Sequence, residues 1–165
     1  MHEIHGSLIE PAGEREVVIR REFAAPARLV YRAHTTPEHV MRWFGPVGWP
    51  LTTCEMDFRV GGRFRFAMTG PDGEDGPPFG GEYLEIVPER KIVYDNGFEA
   101  PGSGRMTVTV TFKEAAGRTT LTMRTLFASK AMRDEYVGVE FVEGVGSGLD
   151  QLVDVVAELM AEERA

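Results

Sequence analysis

The chain has 165 residues, a mass of 18.3 kDa, a net charge of -8 and a pI near 5.1, a balance that argues against nucleic acid or an anionic membrane as the main partner. That length suits one domain over 1–165 with a sizeable core, residues 1–13 forming a loosely ordered lead-in. Hydrophobic residues at 42% are ordinary for a soluble globular protein, no apolar run approaches the roughly 20 residues of a bilayer span, and MHEIHGSLIEPAGERE lacks the basic start and apolar core of a secretory signal, so no membrane span and a cytoplasmic location are expected.

EREVVIRREF (14–23) reads as a first strand, and Ala25-Pro26 opens a short helix, PARLVYRAH, with proline in the first turn where its missing N–H costs little. Thr35-Thr36-Pro37-Glu38 repeats the start signal with a Thr-x-x-Glu spacing. A second short helix should therefore carry Val40, Met41, Trp43 and Phe44 before Gly45-Pro46 stops it.

MDFRVGGRFRFAM (56–68) places two glycines among arginines, as a phosphate loop would, but such a loop runs into a helix and none follows. Cys54, Met56 and Phe58, then Phe64, Phe66 and Met68, alternate with polar neighbours, which reads as a hairpin. A three-residue loop, Val60-Gly61-Gly62, pairs Phe58 with Phe64, Met56 with Phe66 and Asp57 with Arg65, keeping the apolar stripe on one face. Cys54, the single cysteine, falls on that stripe as a small hydrophobe rather than a nucleophile.

GPDGEDGPP (70–78) should be a mobile loop, after which FGGEYLEIV and KIVYDNGFE form two strands joined across Pro88-Glu89-Arg90. Met106, Val108, Val110 and Phe112 alternate with threonines, and Leu121, Met123 and Phe127 follow EAAGR. Pairing Phe112 with Leu121 implies a four-residue loop at Ala115 to Arg118. Val145, Leu149, Leu152, Val153, Val156, Leu159 and Met160 then recur at helical spacing. Gly144, Gly146 and Gly148 leave two readings: the helix begins only at Ser147, or the glycines keep side chains out of a space that something else fills.

Strand, two short helices, six antiparallel strands and a long final helix make an α+β domain. A long helix laid across the concave face of a curved sheet of about seven strands either closes on a packed core or leaves a cavity. The predicted inward residues Met56, Phe58, Phe64, Phe66, Met68, Met106, Phe112, Met123 and Phe127 are adaptable or aromatic and suit both.

The order and spacing of REFAAPARLVYRAHTTPEHVMRWFGP, DFRVGG, GGEYLEIVPERKIVY, VTVTFKEAAGRTTLTM and EGVGSGLDQLVDVVAEL resemble the helix-grip (SRPBCC) superfamily of START domains, the birch-pollen-allergen fold and polyketide cyclases, from about Val17 to Leu159. The closer resemblance is to the branch named after the C-terminal domain of the activator of the Hsp90 ATPase. It implies a helix-grip fold and a range of functions: binding of apolar small molecules, ring cyclisation or hydrolysis, antibiotic sequestration and chaperone activation. Fold does not choose among them, and the resemblance brings no shared catalytic residues. Where many relatives have tryptophan after the Glu-Gly of the last helix, this chain has Val145 after Glu143-Gly144, a departure expected to enlarge or reshape the pocket.

No nucleophile–base pair, metal cluster or cofactor fingerprint emerges, so no catalytic residue, metal or cofactor is assigned. His2 and His5 have metal-like spacing without further ligands. His34 and His39 flank the turn between the short helices, where one could act as a general base or be merely solvated. Glu82 and Glu85 fall on opposite faces of one strand and cannot share a ligand. The leading expectation is a small, largely apolar molecule held between sheet and final helix. Trp43, Phe44, Trp49, Tyr83, Val108, Val145 and Leu149 join Met56, Phe58, Phe64, Phe66, Met68, Met106 and Met123 as its contacts, with the 70–78 loop as a lid. The alternatives are a co-chaperone-like surface for a chaperone or other protein partner, and a cyclase or hydrolase using a histidine such as His39. Monomer and homodimer both stay open.

Overall fold

The computed structural model describes residues 2–4, 6–137 and 139–164, with side chains over 6–137 and 143–164. Among these, nine strands form one open antiparallel sheet: β1 (His2–Ile4), β2 (Ser7–Ala12), β3 (Glu16–Phe23), β4 (Leu51–Met56), β5 (Arg63–Met68), β6 (Phe79–Val87), β7 (Lys91–Phe98), β8 (Met106–Ala115) and β9 (Arg118–Phe127). Their spatial order is β1-β2-β3-β9-β8-β7-β6-β5-β4. The helices α1 (Ala27–Thr35) and α2 (Pro37–Trp43) connect β3 to β4, and α3 (Lys130–Tyr136) and α4 (Val139–Arg164) follow β9. This is the expected α+β helix-grip arrangement.

The sheet exceeds the expected seven strands because His2–Ile4 and Ser7–Ala12 add β1 and β2 at its edge. Ser7–Ala12 pairs with β3, Ile9 opposite Ile19 and Pro11 opposite Val17. Pro11 argues against a strand when read locally, but β1 reaches only as far as Ile9, so the face of Pro11 that lacks an N–H has no neighbouring strand to satisfy. Arg21, inward on β3, donates to the Ser7 hydroxyl and meets Asp150 of α4 at 3.1 Å, tying the first strands to the last helix.

The β4–β5 hairpin keeps the expected faces and changes register by two residues. Met56 pairs with Phe64, Cys54 with Phe66 and Glu55 with Arg65. The connection is consequently the longer 57–62, because its backbone has other partners: Arg59 N–H donates to the Asp57 carbonyl, Gly62 N–H to Arg59, and Gly61 N–H to Tyr83 on β6. A Cβ on Gly62 would lie 2.0 Å from the Asp57 carbonyl oxygen, so glycine is required there by close approach. Asp57 pairs with Arg59 instead of Arg65, and Arg65 pairs with Glu99. At the β8–β9 hairpin Phe112 does oppose Leu121, but pairing continues to Ala115 opposite Arg118. The loop is thus the two residues Ala116 and Gly117, both with positive φ, as a tight primed turn demands.

A bulge between Tyr83 and Glu85 alters the parity of β6. Tyr83 opposite Tyr94 stays inward, while Glu82, opposite Arg63, and Glu85, opposite Val93, both point outward. The two carboxylates therefore share a face, contrary to a uniform strand, and that face lies away from the core. The 70–78 segment is held by Gly70 N–H to Glu74, Gly73 N–H to Gly70 and Gly76 N–H to Met68, all to carbonyls.

The final helix runs unbroken through its glycines, which settles the choice of its start. Ser147 is not an N-cap: its hydroxyl accepts from Val47 N–H at 3.0 Å. The short α3, capped by the Ser129 hydroxyl on Met132 N–H, has no counterpart in the periodicity reading. Thr36 caps α2 without a side-chain hydrogen bond, so the Thr-x-x-Glu spacing marks the boundary without forming a capping box. The core lies between sheet and helices, with Leu149, Leu152, Val156 and Leu159 of α4 buried over Val17, Ile19, Val110 and Leu121 of the sheet.

Candidate ligand cavity

Two short helices build the first wall. Along α1, Leu29, Val30 and Ala33 are buried, and the helix ends at Thr35 because Pro37 offers no N–H to the Ala33 carbonyl. Nε1 of Trp43 donates to that carbonyl at 2.9 Å, fixing the indole. The same ring packs on His34 at 4.8 Å and on Phe44 at 5.5 Å between centroids.

The final helix forms the second wall and is clamped to the turn after α2. Nε2 of Gln151 donates to the carbonyls of Gly45 (2.7 Å) and Trp43 (3.3 Å). Gly148 permits this approach: a Cβ there would lie 3.3 Å from the Trp43 carbonyl oxygen. Gly148 thus keeps a side chain out of the α2–α4 contact, which the turn itself fills, whereas a Cβ on Gly144 would meet only Pro46 at 3.9 Å.

Sheet and helices do not close completely. An outer cavity of about 430 Å³ lies between α4, the turn after α2, the 70–78 segment and the sheet. Of the predicted contacts, Trp43, Phe44, Trp49, Met68, Met106, Val108, Met123, Val145 and Leu149 line it. A deep lobe of about 50 Å³ reaches under α1 and α2, bounded by Met56, Phe58, Phe64, Phe66 and Tyr83. Trp43, Phe44, Tyr94, Asn96 and Met123 belong to both walls, so the two spaces adjoin. Each of the fourteen predicted residues therefore borders one or the other of two spaces that share these walls.

Edge-to-face and tilted ring contacts stiffen the deep end. Phe66 meets Phe44 at 5.3 Å and Phe64 at 5.0 Å; Phe64 meets Tyr94 at 5.4 Å, and Phe58 meets Tyr83 at 4.9 Å. Such offset and edge contacts favour a fixed arrangement over rearrangement. Trp49 is held differently, its ring lying where a Cβ on Gly70 would be, 2.7 Å away.

Sequence reading missed Phe79, Asn96, Tyr94, Phe98 and Tyr136. Phe79 pairs with Phe66 and Tyr94 with Tyr83, so the signal was cross-strand pairing, available only once register is known. Tyr136 belongs to the unanticipated α3.

Titratable groups in the region are shifted by burial. Desolvation lowers His34 from 6.5 to about 4, only partly offset by its bond to the Val30 carbonyl. Desolvation also raises the phenols of Tyr83 and Tyr94. The Cys54 thiol is pushed up to about 11 by burial and by Glu38, and it faces the Pro37 carbonyl at 3.9 Å, so it stays protonated at neutral pH. His34 lines the deep lobe and His39 lines neither space. His5 lies outside the described residues, and only the backbone of His2 is described. Among the described residues no helix is long and apolar enough to cross a membrane.

Residues 24–157 match the family described as Activator of Hsp90 ATPase homolog 1-like protein. Solved structures similar to this chain include a Nitrosomonas europaea protein at 26% identity, covering 91% of this chain and 99% of that one with a TM-score of 0.81. A Chromobacterium violaceum protein is 29% identical over 86% of this chain and 96% of that one, with a TM-score of 0.76. A Mycobacterium smegmatis protein is 25% identical over 92% and 98%, with a TM-score of 0.81. Among curated proteins, no relative matches.

Proposed function

The chain belongs to the Activator of Hsp90 ATPase homolog 1-like family, and from that premise we propose that it binds a small, largely apolar molecule between its sheet and its C-terminal helix. The observation that carries this reading is the outer cavity: about 430 Å³, within the roughly 300–1,000 Å³ of small-molecule sites, and walled mainly by aromatic, methionine and aliphatic side chains. A ligand there displaces poorly held water from apolar surface, and the packed rings of Trp43 and Phe44 meet it without reorganising. The 70–78 segment, contributing Gly76 and Pro77 to the rim, is the lid of this reading.

Native mass spectrometry of protein purified without denaturation tests it. A reproducible extra mass that disappears on denaturation is expected; protein that arrives empty and takes up no apolar probe would refute it.

Docking on an Hsp90-type chaperone is a second reading, favoured by the family's description and the net charge of -8. The large apolar side chains most exposed for it are Val47 (73%) and Val60 (61%), in two separate turns. Co-sedimentation with purified Hsp90-type chaperone, abolished by Val47→Asp or Val60→Asp, would move the assignment to that surface.

A further inference from the structure

The deep lobe is apolar on nearly every side, yet His34, which lines it, has a buried Nε2 with no hydrogen-bond partner. The other ring nitrogen is committed. Nδ1 lies 2.8 Å from the Val30 carbonyl oxygen, which can only accept, so Nδ1 carries the proton and Nε2 presents its lone pair. The ring cannot easily turn away, being packed at 4.8 Å against Trp43 and at 5.2 Å against Phe112. Buried polar atoms are rarely left unpaired, and an unpaired acceptor on a residue that lines a cavity favours a donor beside it.

The chemistry of the partner follows from the walls. A carbonyl or ether oxygen would set lone pair against lone pair. A carboxylate would lose its water with no cation among the lining residues, and an ammonium would find no carboxylate there. A neutral donor remains. The lobe's volume of about 50 Å³ exceeds the roughly 10–15 Å³ that a single water requires, and it suits a hydroxyl with its carbon better than a ring. The body of such a molecule would occupy the adjoining 430 Å³.

We infer that the deep lobe receives a hydroxyl group at the tip of an otherwise apolar ligand, and that this hydroxyl donates a hydrogen bond to Nε2 of His34. The inference rests on the apolar-ligand reading and adds the polarity and orientation of the ligand. Tyr83, Tyr94 and Asn96 border the same lobe.

Titration calorimetry with 2-naphthol and with 2-fluoronaphthalene, nearly isosteric but without a donor, tests it. The wild-type protein should bind 2-naphthol about three- to tenfold more tightly, and in His34→Phe the ratio of the two affinities should fall to about one. Equal affinities in the wild type would overturn the inference and leave the apolar-ligand reading standing; binding of neither probe would overturn both. Nitrogen-15 spectra of histidine-labelled wild-type protein add a readout that needs no variant. The Nε2 resonance of His34 should shift with 2-naphthol and stay with 2-fluoronaphthalene, and an unmoved resonance in protein saturated with 2-naphthol would also overturn the inference.

Discussion

The indole Nε1 of Trp43 donates to the carbonyl oxygen of Ala33 at 2.9 Å, and a proline four residues after Ala33 is the reason that bond exists. In an uninterrupted helix the N–H of residue 37 would satisfy Ala33, but Pro37 has none. One missing donor thus fixes a ring that lines both the outer cavity and the deep lobe. Trp43→Phe keeps a ring and leaves the carbonyl unpaired, so urea denaturation should show a loss of about 1–3 kcal/mol. A change within 0.5 kcal/mol would mean that the bond contributes little to holding the ring.

His34 makes stability pH-dependent. Its folded pKa of about 4 is below the unfolded value of 6.5, so the unfolded chain takes up the proton first as pH falls. The stabilisation is full above pH 6.5, drains away between 6.5 and 4, and changes no further below, with a limit of about 3 kcal/mol. The direction is that of a buried neutral base: acid destabilises. Comparing wild type with His34→Phe by thermal melts across that window isolates the effect from carboxylate titration. Parallel curves would show that His34 titrates alike in both states.

Val145 stands at the outer cavity where a larger residue would occupy the space. Val145→Trp should reduce affinity for 2-fluoronaphthalene at least tenfold, about 1.4 kcal/mol, while the unfolding midpoint stays near that of the wild type, since the ring enters open volume instead of a packed core. Unchanged affinity would place the ligand elsewhere.

Two glycines of α4 should respond differently to alanine. A Cβ on Gly144 meets only Pro46, at 3.9 Å, so Gly144→Ala should gain roughly 0.5–1 kcal/mol from helix propensity. On Gly148 it meets the Trp43 carbonyl at 3.3 Å, against the Gln151 clamp, and the gain should be cancelled or reversed. Chemical denaturation of both variants checks the order, and a more stable Gly148→Ala would show that the clamp yields.

Phe66 lies at the centre of the aromatic wall, 5% exposed and in ring contact with Phe44, Phe64 and Phe79. Phe66→Ala should cost about 3–5 kcal/mol and weaken binding of apolar probes. Phe66→Leu, which preserves more of the volume, separates the two effects: reduced affinity with stability largely kept would assign the ring to the ligand, and full affinity would assign it to the core alone.

What the sequence determined is what local chemistry can set. Period-two alternation put Met56, Phe64, Phe66, Val108 and Met123 on the inner face, the two proline-led starts bounded α1 and α2, and period 3.6 marked α4. Faces follow from parity alone, so they survive an error of two residues in register, as the β4–β5 hairpin shows. Tertiary structure decided the rest. Register depended on Tyr83 holding the 57–62 turn, and β2 became a strand because β3 was there to pair with it. The glycine-rich start of α4 is helical because it must approach Trp43 and Gly45, a contact about a hundred residues away in sequence. The cavity has the same origin: its volume depends on where α4 rests on the sheet, and the unpaired Nε2 of His34 becomes meaningful only once α1, α2 and the strands enclose it. Burial and pairing are relations between distant segments, and no short stretch of chain encodes them by itself.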